Sequence, residues 1–160
     1  MIFCGIDAST RKTGICIRNE DTLLFHTVID LSSNKDTDSR IPQMMRELGH
    51  ILKKHNPDVL FVENTWNASN IQTTIKLSYI IGAIIYICQV LDIGFNKILP
   101  SSWRSAIGLS IGKKKREELK QDAIDYVKTK YGIVCGDDEA EAIGIADGAC
   151  ILTQNGEIFQ

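Results

Sequence analysis

Val59-Leu60-Phe61-Val62-Glu63 sets four apolar residues in a row and ends them on a carboxylate. A run this short and wholly apolar reads as a strand buried on both faces. A second run, Met1-Ile2-Phe3-Cys4-Gly5-Ile6-Asp7, alternates Ile2, Cys4 and Ile6 with Phe3 and Gly5 and also ends on an acid. Ligand sites in open α/β sheets gather at the carboxyl ends of strands. These two stretches therefore decide the fold class and point to a site at the same time.

Outward from them, Ala8 to Gly14 carries turn chemistry in Ser9, Thr10 and Gly14. Ile15-Cys16-Ile17 and Thr22 to Ile29 read as two further strands, with Asn19-Glu20-Asp21 turning between them. Asp30 to Arg40 is polar and reads as a loop. Ile41, Met44, Met45, Leu48, Ile51 and Leu52 form one stripe at helical spacing, with Pro42 in the first turn and Asn56-Pro57 as the stop. Asn70 to Leu91 reads as a long helix, Gly94 to Leu99 as a strand closed by Pro100, Lys114 to Lys130 as an amphipathic helix, and Asp138 to Leu152 as an Ala- and Gly-rich helix. Three leading strands predict an antiparallel meander, and strands separated by helices predict parallel additions. The expected fold is an α/β domain with a mixed five-stranded sheet, occupying residues 1–160 as one unit.

Composition agrees with a soluble domain: 160 residues with 44% hydrophobic and 24% charged leave enough apolar mass for one core. The N-terminus lacks the basic region and cleavage site of a signal peptide. Tyr79 to Leu91, the longest apolar stretch, falls short of the roughly 20 residues that span a bilayer, and it reads as a buried helix of a cytoplasmic protein. Ile80, Ile81, Ile84, Ile85, Ile87 and Leu91 nevertheless cover more than one helix face, an excess that a dimer interface would absorb. Cys4, Cys16, Cys88, Cys135 and Cys150 are odd in number and form no CxxC pair, as expected of reduced cysteines. His26, His50 and His55 lack metal-ligand spacing and read as structural or surface residues.

The net charge of −2 hides an uneven distribution. Bases cluster at Arg11-Lys12 and Lys113-Lys114-Lys115-Arg116, while acids cluster at Asp137-Asp138-Glu139 and Glu141. Alone, Asp7 would also serve as a turn cap, Glu63 as a strand end facing solvent, and Asp138 with Glu141 as favourable charges at a helix N-terminus. Together they say more. Asp138 and Glu141, at i and i+3, project from one helix face, and Ala140, Ala142, Gly144 and Ala146 make that helix thin enough to lie close to a sheet. Four carboxylates brought together repel one another unless a cation joins them, and an all-oxygen site suits Mg²⁺ or Mn²⁺. Two such ions about 3.5–4 Å apart are the apparatus of phosphodiester hydrolysis. No Ser-His-Asp arrangement and no activated cysteine competes.

GIDAST followed by TG, VEN after an apolar strand, and DDEAEAIGIAD together resemble the signatures of RuvC-like Holliday junction resolvases, in the ribonuclease-H-like superfamily. ILPSSWRSAIGL followed by a lysine cluster resembles the phage branch. The resemblance spans nearly the whole chain in the right order. It implies a homodimer that nicks two strands of a four-way DNA junction symmetrically, leaves 5′-phosphates, and works in the cytoplasm of a bacterium or a phage-infected host. By position, Asp7, Glu63, Asp138 and Glu141 match the family's metal-binding carboxylates. The family has Asp where this chain has Glu141, which leaves Asp137 and Asp147 as substitutes. Trp66 matches an aromatic position that stacks at the junction centre. Arg11, Lys12, Lys113, Lys114, Lys115 and Arg116 supply phosphate contacts, and Lys114 is a candidate for stabilising the transition state.

Three rival readings share parts of this pattern. The GID opening with Thr13-Gly14 also resembles the phosphate hairpin of sugar-kinase and actin-type ATPases, but 160 residues leave no room for their second lobe. An RNA-processing nuclease of the YqgF type shares the fold. A non-catalytic junction-binding protein would not require the acidic set.

Overall fold

The computed structural model describes residues 1–64, 71–110 and 112–158. Five strands, β1 (Phe3–Asp7), β2 (Lys12–Arg18), β3 (Leu23–Asp30), β4 (Val59–Glu63) and β5 (Gly94–Ile98), form one sheet in the order β3-β2-β1-β4-β5. The first three pair antiparallel, and β4 and β5 join parallel to β1 and to each other. This is the expected mixed sheet. The helices are α1 (Thr37–His55), α2 (Ile71–Val90), α3 (Pro100–Ala106), α4 (Arg116–Tyr131) and α5 (Asp137–Gln154).

Side-chain alternation along the strands divides the core in two. Cys4, Ile6, Ile15, Ile17, Leu60 and Val62 pack with Met44, Leu48 and Leu52 of α1 and with Ile80, Ile84 and Cys88 of α2. Phe3, Cys16, Val59 and Phe61 pack with Trp103 of α3, Ala123 and Val127 of α4, and the apolar length of α5. By the same period of two, Asp7 and Glu63 fall on the α5 face. The β1–β4 register runs Phe3↔Val59 through Ile6↔Val62. One step further, Asp7 and Glu63 stand side by side at the carboxyl ends of two parallel neighbours.

α5 lies almost backbone to backbone on this face. A Cβ added at Gly5 would stand 2.5 Å from both the Ala142 carbonyl oxygen and the Ala146 nitrogen. One added at Gly14 would fall inside the carbonyl oxygen of Asp138. Gly14 is the register partner of Asp7, so the missing side chain of Gly14 brings the first turn of α5 alongside Asp7. The expected thinness of the helix is only half of the device. The strands are thinned as well.

Four sequence expectations need correction. α1 starts at Thr37, capped by the Asp36 carboxylate through the amides of Asp38 and Ser39, so the polar run before Ile41 is its first turn and Pro42 lies inside the helix. β2 starts at Lys12, which draws Thr13 and Gly14 out of the expected turn; the turn is fastened by the Thr13 hydroxyl, which donates to the Ser9 carbonyl at 2.8 Å. α3 was not expected at all after Pro100. α2 is not buried: only Ile80, Ile84 and Cys88 enter the core, while Ile71, Tyr79, Tyr86 and Val90 are exposed. By length and composition alone, α2 is also apolar enough to cross a membrane. The cysteines are free, with Cys135 half-buried and the other four buried.

Because the clash at Gly5 is with helix backbone rather than with a flexible side chain, Gly5→Ala should destabilise by at least the roughly 1–3 kcal/mol typical of overpacking. Urea unfolding measures it. An unchanged midpoint would show that α5 is free to lift from β1.

Candidate active site

Asp7, Glu63, Asp138 and Glu141 all lie at the carboxyl ends of the parallel strands or in the first turns of α5, and each is half-buried. Asp7 is the centre. Burial pushes its carboxyl well above the ordinary carboxylate range, and the charges of Glu141, Glu63 and Asp138 push it further. Among the described residues no donor is hydrogen-bonded to its carboxylate. Glu63 is also raised, by burial, against the indole N–H of Trp103, which donates to Oε2 at 2.8 Å, and the charges of Arg104 and Arg116. Glu141 is raised by burial and opposed by Arg104, whose Nη2 pairs with Oε1. Asp138 is raised by burial and by Asp137, and opposed by Lys120 and Lys12.

Three neighbours of this site escaped sequence reading. Trp103 and Arg104 come from α3, and each meets one of the two glutamates. Lys120 of α4 pairs with Asp137. These residues lie far in sequence from the acids they serve. The only trace of them is Trp-Arg within ILPSSWRSAIGL and Lys120, one of several lysines on the expected helix from Lys114 to Lys130.

The two substitutes for Glu141 are occupied elsewhere. Asp137 is held below the usual carboxylate range by Lys120. Asp147 is fully buried one and a half turns further along α5, where Arg18, Lys130, Tyr126 and Tyr131 all bond it. Glu141 is therefore the acid of α5 that meets Asp7 and Glu63 electrostatically together with Asp138.

The basic residues divide. Lys12 lies within the field of Asp138 and pairs with Asp30 at 3.2 Å, and Arg11 is exposed beside it. Arg116 acts on Glu63. Lys114 does not turn toward the acids: its Nζ sits 2.6 Å from Asp122. Lys113 and Lys115 are exposed. Trp66 lies outside the described residues. His26 reaches Glu139 at 2.5 Å, a contact with the acidic turn that its strand position did not suggest.

The donor chemistry fits divalent cations. Three carboxylates of like charge surround the carboxylate of Asp7, which has no hydrogen-bond donor among the described residues, and that charge is relieved by a hard cation or by protonation. Among the described residues no three acidic, imidazole or thiol groups already close on a single point. Arg104 and Lys120 draw Glu141 and Asp137 aside, and a cation would have to draw Glu141 back.

Residues 3–149 match the family model described as crossover junction endodeoxyribonuclease RuvC. The chain belongs to the RuvC family. Crossover junction endodeoxyribonucleases RuvC from Chlorobium phaeobacteroides and Citrifermentans bemidjiense are each 26% identical to it, over 91% of this chain and over 79% and 90% of theirs. The RuvC fold is equally plain. Thermus thermophilus RuvC, solved in complex with a Holliday junction substrate, superposes with a TM-score of 0.83 at 16% identity, covering 98% of each chain. The yeast mitochondrial Holliday junction resolvase Ydc2 superposes at 0.62 with 19% identity, over 95% of this chain and 78% of its own. This RuvC-family chain thus carries its acids on the first strand, the fourth strand and the last helix of the shared fold.

Burial and the neighbouring carboxylates make the Asp7 carboxyl hold its proton. The folded state binds this proton more tightly than the unfolded state, whose value is near 3.8. Asp7 therefore costs stability as pH rises above that range. In metal-free buffer, Asp7→Asn should melt higher than the unmutated protein at pH 7, and the gap should narrow as the pH falls toward 4. Thermal melts with a chelator present test this. A lower melting temperature for Asp7→Asn at pH 7 would make Asp7 a structural acid.

Proposed function

We propose that this chain, acting through residues 1–160 as one nuclease domain, resolves four-way DNA junctions by metal-assisted hydrolysis of one phosphodiester on each of two strands. RuvC-family membership makes it a junction-resolving endodeoxyribonuclease, and the family is divalent-metal-dependent. The finer assignment is ours: Asp7, Glu63, Asp138 and Glu141 hold two Mg²⁺ ions, with Mn²⁺ substituting. The observation that carries it is Asp7, a carboxylate that has no donor among the described residues and lies among three like charges.

Bound Mg²⁺ supplies a water of lowered pKa and charge for the leaving oxygen. The chain does the rest. Asp7 fixes the centre from the rigid end of β1. Asp138 and Glu141 approach from above on α5. Arg11, Lys12, Lys113, Lys115 and Arg116 bind the phosphates around the acids, which positions the scissile bond without reading sequence. Lys114 joins them when it leaves Asp122, and there it takes up transition-state charge. Trp66, three residues past Glu63, stacks on an unpaired base.

A homodimer completes the reading, because two matched nicks need two sites. The exposed apolar side of α2, with Ile75, Tyr79, Ile85, Tyr86 and Val90, is the surface we assign to it. Its opposite stripe is fixed in the sheet's core, so α2 offers one face and keeps the other. A protein of this kind works in the cytoplasm, where its DNA is.

A mobile four-way junction labelled on opposing strands, incubated with Mg²⁺ or Mn²⁺, tests the activity. Paired nicks at symmetric positions are expected, with structured RNA left intact. Asp7→Asn should abolish cleavage and retain junction binding, since Arg and Lys make the phosphate contacts. Cleavage of RNA alone, or binding with no cleavage in either metal, rejects the proposal.

Sedimentation at micromolar concentration should give a dimer, and Tyr86→Glu should shift it to monomer. A monomer in the unmutated protein would sink the α2 interface.

A further inference from the structure

We infer that Trp103 is a positioning residue that engages one oxygen of Glu63 and favours cation ligation through the other, and that it thereby biases the site toward Mg²⁺ over Ca²⁺. The inference rests on the reading that Glu63 is a metal ligand. Trp103 is fully buried. A core tryptophan of this size would ordinarily be explained by packing alone. Its indole N–H, however, donates to Glu63 Oε2 at 2.8 Å.

Three contacts fix that donor. One edge of the indole fills a slot in α5, where a Cβ at Gly144 would come within 2.5 Å of Cζ3 and one at Gly148 within 2.7 Å of the Trp103 Cα. Its ring face lies under the Arg104 guanidinium, with Cζ 4.1 Å from the centroid. Arg104 is itself tied to the Leu119 carbonyl at 2.9 Å and to Glu141. The indole cannot turn unless α3 leaves α5.

The indole N–H occupies one lone pair of Oε2 and fixes the plane of the carboxylate, while Oε1 carries no hydrogen bond among the described residues and keeps both of its own lone pairs. Chelation through both carboxylate oxygens would make Oε2 share its electron density between cation and indole and would weaken that hydrogen bond, while ligation through Oε1 alone leaves it intact. Ca²⁺ accepts bidentate carboxylates in flexible shells of six to eight oxygens, whereas Mg²⁺ demands near-octahedral geometry. Holding one oxygen back favours the smaller ion. The same indole supports the arginine that pairs with Glu141, so one α3 turn sets both glutamates.

Trp103→Phe keeps the ring in its slot and removes only the N–H. Calorimetric titration with Mg²⁺ and, separately, with Ca²⁺ should show Mg²⁺ affinity reduced about tenfold, the scale for losing an outer-shell partner, and Ca²⁺ affinity reduced less. A merely structural tryptophan would lower the melting temperature and leave the ratio of the two affinities alone, and that result overturns the inference. A measurement without the substitution guards against a variant that fails to fold. In ¹H–¹⁵N spectra, the Trp103 indole peak, identified in the Trp66→Phe protein, should move with Mg²⁺ at the calorimetric midpoint and stay still in Glu63→Gln. A peak indifferent to Mg²⁺ also overturns it. If the unmutated protein binds no Mg²⁺, the ligand reading of Glu63 fails and takes this inference with it; if Mg²⁺ binds and the Mg²⁺/Ca²⁺ ratio survives Trp103→Phe, only the inference fails.

Discussion

The close approach of α5 to β1 and β2 is the constraint on which the rest of the structure depends. It is a steric fact before it is a chemical one. Gly5 and Gly14 remove side chains from the strands where the helix crosses them, and Ala142 and Ala146 do the same from the helix side. Only at that distance can acids on a strand end and acids on a helix share one small volume. A bulkier pair of surfaces would still give a stable α/β layer, because Phe3, Phe61 and Val59 have ample apolar partners. It would not give a cluster of interacting carboxylates.

The cluster then creates an electrostatic burden that the surrounding residues divide. Glu63 and Glu141 each have a partner from α3, and Asp137 has one from α4. Asp7 has none among the described residues. The least compensated charge is therefore the one fixed most rigidly, at the end of a central strand. Buried charges without partners are rare because desolvation is expensive, and those that persist mark sites where something else completes the balance. In this chain the arrangement favours a cation arriving from solvent, since all four acids retain a face open to it.

Much of this was legible before the structure. Glu63 after Val59-Leu60-Phe61-Val62 and Asp7 after Ile6 announce strand ends, and period-two alternation carries both to one face once the pairing is known. Asp138 and Glu141 announce a helix face by spacing. What was not legible has physical causes. α3 is seven residues long, too short to display a helical stripe, and its N-cap Leu99 offers no side-chain bond; packing of Trp103 into the Gly144 and Gly148 slot holds it instead. The start of α1 was hidden because Asp36, Asp38 and Ser39 are loop-forming residues that also make good helix beginnings. The apolar character of α2 was plain, but one isolated sequence does not say whether an apolar surface meets its own chain or another. Residue-type patterns report local preference, whereas Arg104, Lys120 and Trp103 acquire their roles only through contacts across the fold.

α5 itself supplies the sharpest contrast, because it carries two kinds of carboxylate on one helix. Asp147 is more deeply buried than any of the four site acids, yet four side chains bond it, among them Arg18 from β2 and Lys130 from α4. It ties the helix to both of its neighbours and is spent on architecture. Asp138 and Glu141, nearer the N-terminus of the same helix, sit where the helix dipole also favours negative charge. They need less from the protein and leave more for a ligand. The two groups are separated by the stretch of α5 that crosses Gly5. The far half is anchored by a saturated acid so that the near half can present unsaturated ones at fixed height over Asp7. Acidity alone does not mark a site on this helix. What marks it is which carboxylates the fold has left without enough donors.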